Sequence, residues 1–289
     1  MKPKKIGIAL SGGSARGLAH IGVIKTLIRA GIKIDYIAGT SMGALVGGLY
    51  AATLDINFVE RLFLKIADDF SSSKFNLRIP LVKSGDIFKN REKMEKLIFE
   101  PIKGLKIEEL KIPAKFIATD VDCGDEVVLE KGSLEEAIRA SAAIPFLFEP
   151  VLIDGKLLMD GGFVNPIPVD RAREMGAQFV IASNVLRNWP KNIKDGKLSL
   201  HNLRFLLMET LTALEYEVSK RNVAKADIVI SSPVLDYKWN DFAYAAEIIE
   251  KGQNETERYI ADIRKFTHHA PPSKKPLEAF IDFITGNDL

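Results

Sequence analysis

Short apolar runs alternate with amphipathic stretches from the start of the chain. Residues 5–10, KIGIAL, make an apolar run of strand length that stops at Ser11, Gly12 and Gly13. Leu18, Ile21, Ile24 and Ile28 then recur at helical spacing with Leu27 beside them, and Gly31 follows as a helix-ending residue. KIDYIAG at 33–39 predicts a second strand, and a second helix begins at Met42 and runs to Ala52. Strand, helix, strand, helix within the first fifty residues predicts a right-handed parallel unit of an α/β sheet.

The pattern continues less regularly. Residues 53–112 read as helical and irregular, with apolar spots at Phe58, Leu62, Phe63, Ile66, Phe70, Phe75, Leu77, Ile79 and Leu81. AKFIATDVDCGDEVVLEKG predicts two strands turning near Gly124, and PVLIDGKLLMDGG a hairpin turning at Asp154 and Gly155. Between them, Ser133 and Glu136 hold the capping-box positions of a helix. AQFVIASNV and ADIVISS add two buried strands. The remainder is mostly helix, with Leu203, Leu207, Leu211, Leu214 and Val218 marking one stripe and Phe280, Ile281 and Ile284 part of a last short one. Both stripes are expected to face the core. Residues 187–200, polar and basic around Pro190, are the expected surface connection.

Composition narrows the function classes more than the fold. With 289 residues, 47% hydrophobic and 27% charged, the chain suits one large domain or two small ones. A net charge of +2 makes no demand for nucleic acid. The basic runs at 2–5, 187–197 and 274–275 read first as solvated faces and second as points of transient contact with an anionic membrane surface. Cys123 is the single cysteine, so no intramolecular disulfide forms, in keeping with a reducing, cytoplasmic setting, at most peripheral to a membrane. The apolar run near the amino terminus is too short for a signal-peptide core. Residues 36–54 carry no charge and place Gly39, Gly43 and Gly47 at the spacing of transmembrane helix pairs. Their glycines, threonines and serine make a poor lipid-facing surface, so a buried strand, turn and helix is the better reading.

That stretch also holds candidate chemistry. GTSMG, residues 39–43, stands between a strand and a helix, the context of a nucleophile elbow, with Gly39 and Gly43 flanking Ser41. The bland alternative is a turn whose serine caps a helix. Four histidines, His20, His201, His268 and His269, are available as bases, and Ser41, Asp160 and His268 or His269 formally give a hydrolase triad. The serine comes too early in the chain for that fold. Asp160 ends an apolar strand and is followed by Gly161 and Gly162, which allow close backbone approach; burial would raise its pKa and suit it to accept a serine proton. A hairpin turn is the competing reading. SGGSARG, residues 11–17, lies between the first strand and first helix, where backbone N–H groups can face an oxyanion. It is neither a Walker loop nor a full dinucleotide fingerprint, although Asp35 stands near the distance of a ribose-binding acid. DVDCGDEVVLEK lacks the acidic residue a calcium loop needs at Lys131, and no cysteine–histidine spacing suggests zinc.

In combination and order, a glycine-rich loop, then G-x-S-x-G, then Asp-Gly-Gly, the chain resembles the patatin-like phospholipase family. GIALSGGSARGLAHIGV, IAGTSMGALVGGLYA, RASAAIPFLFEPV and DGGFVNPIPV carry the likeness across roughly residues 5–185. The resemblance implies a three-layer α/β/α fold with a mostly parallel sheet, one domain over 1–289 whose part from 186 is mainly helical, and a lipid acyl hydrolase needing no metal or organic cofactor. It implies Ser41 as nucleophile, Asp160 as base, and Gly12, Gly13, Ser14, Arg16 and Gly17 as the oxyanion loop, Ser14 standing where many members have glycine. Phe63, Phe75, Leu77, Ile79 and Leu81 are candidate acyl contacts on a cap, with core closure as the alternative. A nucleotide- or ligand-binding regulator using the 12–17 loop remains the other reading.

Overall fold

A computed structural model describes residues 3–71, 95–145, 147–186 and 200–268. Its strands join in one sheet: β1 (Ile6–Leu10), β2 (Tyr36–Thr40), β3 (Ala114–Asp120), β4 (Glu126–Leu129), β5 (Val151–Ile153), β6 (Lys156–Asp160), β7 (Phe179–Asn184) and β8 (Ile228–Ser231). Pairing follows β5-β6-β3-β2-β1-β7-β8, and β4 also pairs with β3. β3, β2, β1, β7 and β8 run parallel, while β4, β5 and β6 form antiparallel pairs.

β1 shows how the sequence makes layers. Ile6, Ile8 and Leu10 alternate onto the face with the larger core, and Ala9 faces the smaller one. The larger side is covered by α1 (Ala19–Arg29), α2 (Met42–Thr53), α3 (Ile56–Ser71) and α7 (Ala245–Glu257), whose Ile21, Leu49, Phe63 and Ile248 are buried there. The opposite side packs Ala9, Ala38, Val180 and Ala182 against Val169 and Ala172 of α5 (Val169–Glu174). The result is the three-layer α/β/α arrangement. Each fully buried aliphatic side chain contributes about 1.5–3 kcal/mol.

The local punctuation agrees with the pattern. Gly31 and Gly124 take positive φ at their turns, as do Asp154 and Gly155 between β5 and β6. The side chain of Ser133 accepts from the Glu136 N–H at 3.2 Å and opens α4 (Leu134–Ser141). Residues 36–54 form β2, the turn at Ser41 and α2 rather than one long helix. No helix among the described residues is long and apolar enough to cross a membrane.

One stripe departs from expectation. In α6 (Leu200–Val223), Leu214 is exposed, while Thr212, Ala213 and Ser219 are buried. This helix packs against the 3-10 turn Gly161–Phe163 after β6. A helix lying over polar loop ends turns Thr212 and Ser219 inward, so the periodicity misplaces Leu214, while Leu211 and Val218 of the same stripe are half-buried. The side chains of Phe70, Leu203 and Leu207, and Phe280, Ile281, Ile284 and residues 187–199, lie outside the described residues.

Candidate active site

The register of β3 brings Ser41 and Asp160 together. β4 pairs with Phe116 through Thr119 along one edge of β3. β2 pairs with Ala114 through Ile117, and β6 with Ala118 through Asp120. Because β4 overlaps both sets, β2 and β6 must share the opposite edge, end to end. Thr40 faces Ile117 and Asp160 faces Ala118, consecutive residues of one strand. Parallel β2 and antiparallel β6 therefore meet with their carboxyl ends together.

At this junction the Ser41 hydroxyl donates to Asp160 Oδ2 at 2.6 Å. Both residues are buried. Ser41 has φ 55° and ψ −120°, a sparsely populated conformation at the sharp turn into α2. Its N–H donates to Ser141 Oγ at 3.0 Å. The turn has no room for side chains at its flanks: a Cβ on Gly39 would lie 2.6 Å from the Gly43 carbonyl oxygen, and one on Gly43 2.3 Å from that of Leu10.

Asp160 is held on several sides. Oδ1 accepts from the Gly162 N–H at 2.8 Å, the backbone N–H donates to the Ala143 carbonyl at 3.0 Å, and the backbone carbonyl accepts from Thr119 Oγ1 at 2.7 Å. Burial raises its pKa to about 6, against the lowering effect of the hydrogen bonds from Ser41 and Gly162. Its carboxyl group can thus accept a proton near neutrality, as a free aspartate cannot.

The glycine-rich loop lies beside this pair. Gly13 has φ 136° and Ser14 φ 48°, and Ser14–Leu18 form a 3-10 turn before α1. The Gly12 N–H is already committed, donating to the Pro166 carbonyl at 3.0 Å, so Gly12 is not a free oxyanion donor. The Arg16 N–H likewise donates to Gly13 O at 3.1 Å. The loop is thus fastened through the Gly12 N–H, which the glycine-rich pattern had offered as a donor, while the Arg16 N–H serves to close its turn. Arg16 is buried and Gly17 stacks against Met42, leaving 2.5 Å between a Gly17 Cβ and Met42 Cγ.

A patatin-like phospholipase family model matches residues 8–173, more than half of the chain. The chain belongs to the patatin-like phospholipase family. An uncharacterized NTE family protein of Mycobacterium tuberculosis is 38% identical over 185 residues, covering 62% of this chain and 48% of the relative. Patatin-like phospholipase domain-containing protein 6 of Homo sapiens is 36% identical over 187 residues, covering 62% of this chain and 13% of the relative. The chain thus spans about half the length of the mycobacterial relative and a small part of the human one. VipD of Legionella pneumophila shares the fold, with a TM-score of 0.50 at 14% identity over 91% of this chain and 67% of VipD.

In this patatin-like chain the other candidates fall elsewhere. His20 is buried, with Nε2 2.9 Å from the Ser11 carbonyl and Nδ1 2.7 Å from Ser183 Oγ. A carbonyl only accepts, so Nε2 carries the proton and Nδ1 receives one from the Ser183 hydroxyl. His20 supports the loop and makes no hydrogen bond to Ser41 or Asp160. His268 follows α8 (Ile260–Thr267), whose Thr267 carbonyl accepts from the Lys4 N–H at 2.9 Å, placing it at the amino end of β1. Ser41 stands at the carboxyl end of the neighbouring parallel strand, so His268 is a strand length, roughly 17 Å, away. Asp35 sits at that same far end, accepting from the Ile6 N–H at 3.0 Å, where it meets no nucleotide on the glycine loop. His269, and the side chain of His201, lie outside the described residues.

Phe63 is buried in the larger core, the position of a core-closing residue. Phe75, Leu77, Ile79 and Leu81 lie outside the described residues. A cavity of about 490 Å³ opens among Phe58, Leu62, Leu97 and Pro101, and shares no residue with the Ser41 site.

One site residue escapes the sequence reading. Glu215 of α6 brings Oε1 to 2.6 Å from the place a Cβ on Gly162 would take, and Oε2 to 3.9 Å from that of Gly12. The signal was Thr212, Glu215 and Ser219, a polar stripe at helical spacing on the side opposite Leu214.

Proposed function

We propose that this chain is a serine-type carboxylic ester hydrolase acting on lipid acyl esters, with Ser41 as nucleophile and Asp160 as its base. The observation that carries the reading is the 2.6 Å hydrogen bond from Ser41 Oγ to Asp160 Oδ2 at a strained strand-to-helix turn. Family membership supports lipid as the substrate class, and transient contact with a membrane surface is part of the proposal.

Attack of Ser41 Oγ on the ester carbonyl passes the hydroxyl proton to Asp160. Negative charge moves from the carboxylate to the carbonyl oxygen. The N–H groups of Gly13 and Ser14 and that of Met42 at the start of α2 are the donors suited to hold it. Asp160 then returns the proton to the departing alkoxide, leaving an acyl group on Ser41. In the second half a water gives its proton to Asp160 and attacks the acyl carbon. Collapse of that intermediate returns the proton to Ser41 and frees the fatty acid. A positioned base of this kind contributes about 10²–10⁴-fold.

Labelling of the purified protein with a fluorophosphonate tests the reading. The parent chain should label; Ser41→Ala should not, and Asp160→Asn should label at a small fraction of the parent rate. Unchanged labelling of Ser41→Ala moves the nucleophile elsewhere, and full activity in Asp160→Asn removes the base.

A further inference from the structure

Glu215 reaches the Ser41 site from the opposite layer of the fold. As a residue it is only partly buried, but its carboxyl end is the part that points inward. The Cβ position of Gly162 lies 2.6 Å from Glu215 Oε1 and 3.2 Å from Asp160 Oδ1, so those two oxygens are no more than 5.8 Å apart, the sum of the two distances. The Cβ position of Gly12 lies 3.9 Å from Glu215 Oε2 and 3.5 Å from Ser41 Cβ, which bounds that pair at 7.4 Å in the same way. Glu215 thus stands between the base turn and the glycine loop, in space that glycine at both positions leaves open.

Two carboxylates this close in a site poor in water do not both ionise without a large penalty. The charged groups that bear on Glu215 are Asp160, at the end of β6, and Arg16, in the turn before α1. We propose that Glu215 is a positioning residue for the Ser41 chemistry: it holds the proton that leaves Asp160 as the one anionic carboxylate of the site, and loss of that proton suppresses attack. This inference rests on the reading of Ser41 and Asp160 as nucleophile and base.

The electrostatics agree with the placement. Burial first, and the Asp160 charge second, raise Glu215 to about 8, with Arg16 pulling the other way. Asp160 stands lower, at about 6. Asp160 accepts from both Ser41 Oγ and the Gly162 N–H, which favour its anion, so the proton that the pair keeps belongs on Glu215. When Ser41 attacks, negative charge develops next to the glycine loop. An ionised Glu215, whose Oε2 faces Gly12, opposes that charge, while a protonated one does not.

The test is the rate of fluorophosphonate labelling against pH in the parent chain and in Glu215→Gln, which keeps the shape of the side chain but has no proton to lose. The parent rate should fall about tenfold between pH 7 and pH 9, the drop expected when a single ionisation near 8 removes the active form. In Glu215→Gln that fall should vanish, whatever the absolute rate, while the rise through pH 6 remains. An identical alkaline fall in both chains overturns the inference; a purely packing role for Glu215 gives this result, with a change only in melting temperature. A parent chain that fails to label at any pH overturns the reading of Ser41 instead. Infrared difference spectra of the Ser41→Ala chain decide the protonation separately, and also if Glu215→Gln does not fold. A protonated carboxyl band should disappear through about pH 8, and its absence overturns the inference.

Discussion

Ser41 and Asp160 are 119 positions apart, yet the hydroxyl of one donates to the carboxylate of the other at 2.6 Å. The contact is a product of sheet register. β2 and β6 approach from opposite directions along one edge of β3 and stop opposite neighbouring residues, Ile117 and Ala118. The chain leaves β6 directly over β3: a Cβ on Gly161 would lie 2.2 Å from the Ile117 carbonyl oxygen. Neither strand alone specifies the pair, and a one-residue slip of either would turn its terminal side chain to the other face.

The proposed base sets the acid side of the reaction. Asp160 accepts a proton only as the carboxylate, and burial places its pKa at about 6. The rate of labelling, or kcat/KM for an ester substrate, should therefore rise about tenfold per pH unit below 6 and level off between there and the alkaline fall assigned to Glu215. A rate already level at pH 4.5 would mean that the base is a carboxyl group of ordinary acidity, or not Asp160.

The same burial affects stability with a definite sign. Asp160 is raised from 3.8 to about 6, so its contribution to stability is fully present below about 3.8 and is lost as pH rises through 6. Asp160→Asn removes the ionisation, keeps an oxygen to accept from the Gly162 N–H, and turns its amide N–H toward Ser41 Oγ as a donor, as the protonated acid would. This nearly inactive variant should therefore be more stable than the parent at pH 8, by on the order of 3 kcal/mol, with the difference closing toward pH 3.5. Urea denaturation at the two pH values measures it. Lower stability of the variant at pH 8 would mean that the hydrogen bonds from Ser41 and Gly162 outweigh the cost of burying the charge.

The extent to which these features were legible follows from their range in sequence. β1, α1, β2 and α2 could be read from periodicity because they are local, and the first three are each followed closely by a glycine or a serine, at Ser11, Gly31 and Ser41. The elbow at Ser41 could be read because its glycines stand beside the serine in sequence, although only Gly39 answers a local contact, to Gly43 and Ala44, while Gly43 answers Leu10 and Ser11 of the preceding strand and loop. The end-to-end meeting of β2 and β6 could not, since it depends on two registers on β3. Commitment of the Gly12 N–H to Pro166 is invisible for the same reason. Glu215 was hidden by an apolar stripe in α6 whose Leu214 turned out to face solvent.

Gly43→Ala tests the tightness of the elbow. A Cβ there would meet the Leu10 carbonyl oxygen at 2.3 Å and that of Ser11 at 2.7 Å, both backbone atoms of β1 and its loop. Backbone yields little, so the start of α2 must move, and Ser41 with it. A stability loss of about 1–3 kcal/mol is expected, together with a larger fall in labelling than the lost stability explains. Parent-like labelling by a folded Gly43→Ala protein would show that the turn has slack.

His20→Gln separates support of the loop from catalysis. Burial lowers the His20 pKa to about 4, although its hydrogen bond to the Ser11 carbonyl pulls upward. The sign is opposite to that of Asp160: this contribution to stability is present above the ordinary value of 6.5 and is lost as pH falls toward 4, because the unfolded chain takes up the proton first. The neutral ring ties Ser11, at the start of the glycine loop, to Ser183 at the end of β7. Glutamine has both a donor and an acceptor but cannot place them as the imidazole does, so at pH 7 the variant should lose about 1–3 kcal/mol. That deficit should shrink or reverse by pH 4.5, where the parent alone bears the cost of its neutral buried imidazole. Labelling should slow in His20→Gln without a shift in the midpoint near pH 6, because the proton taken from Ser41 goes to Asp160. A midpoint that moves with His20 would instead make the imidazole part of the proton path.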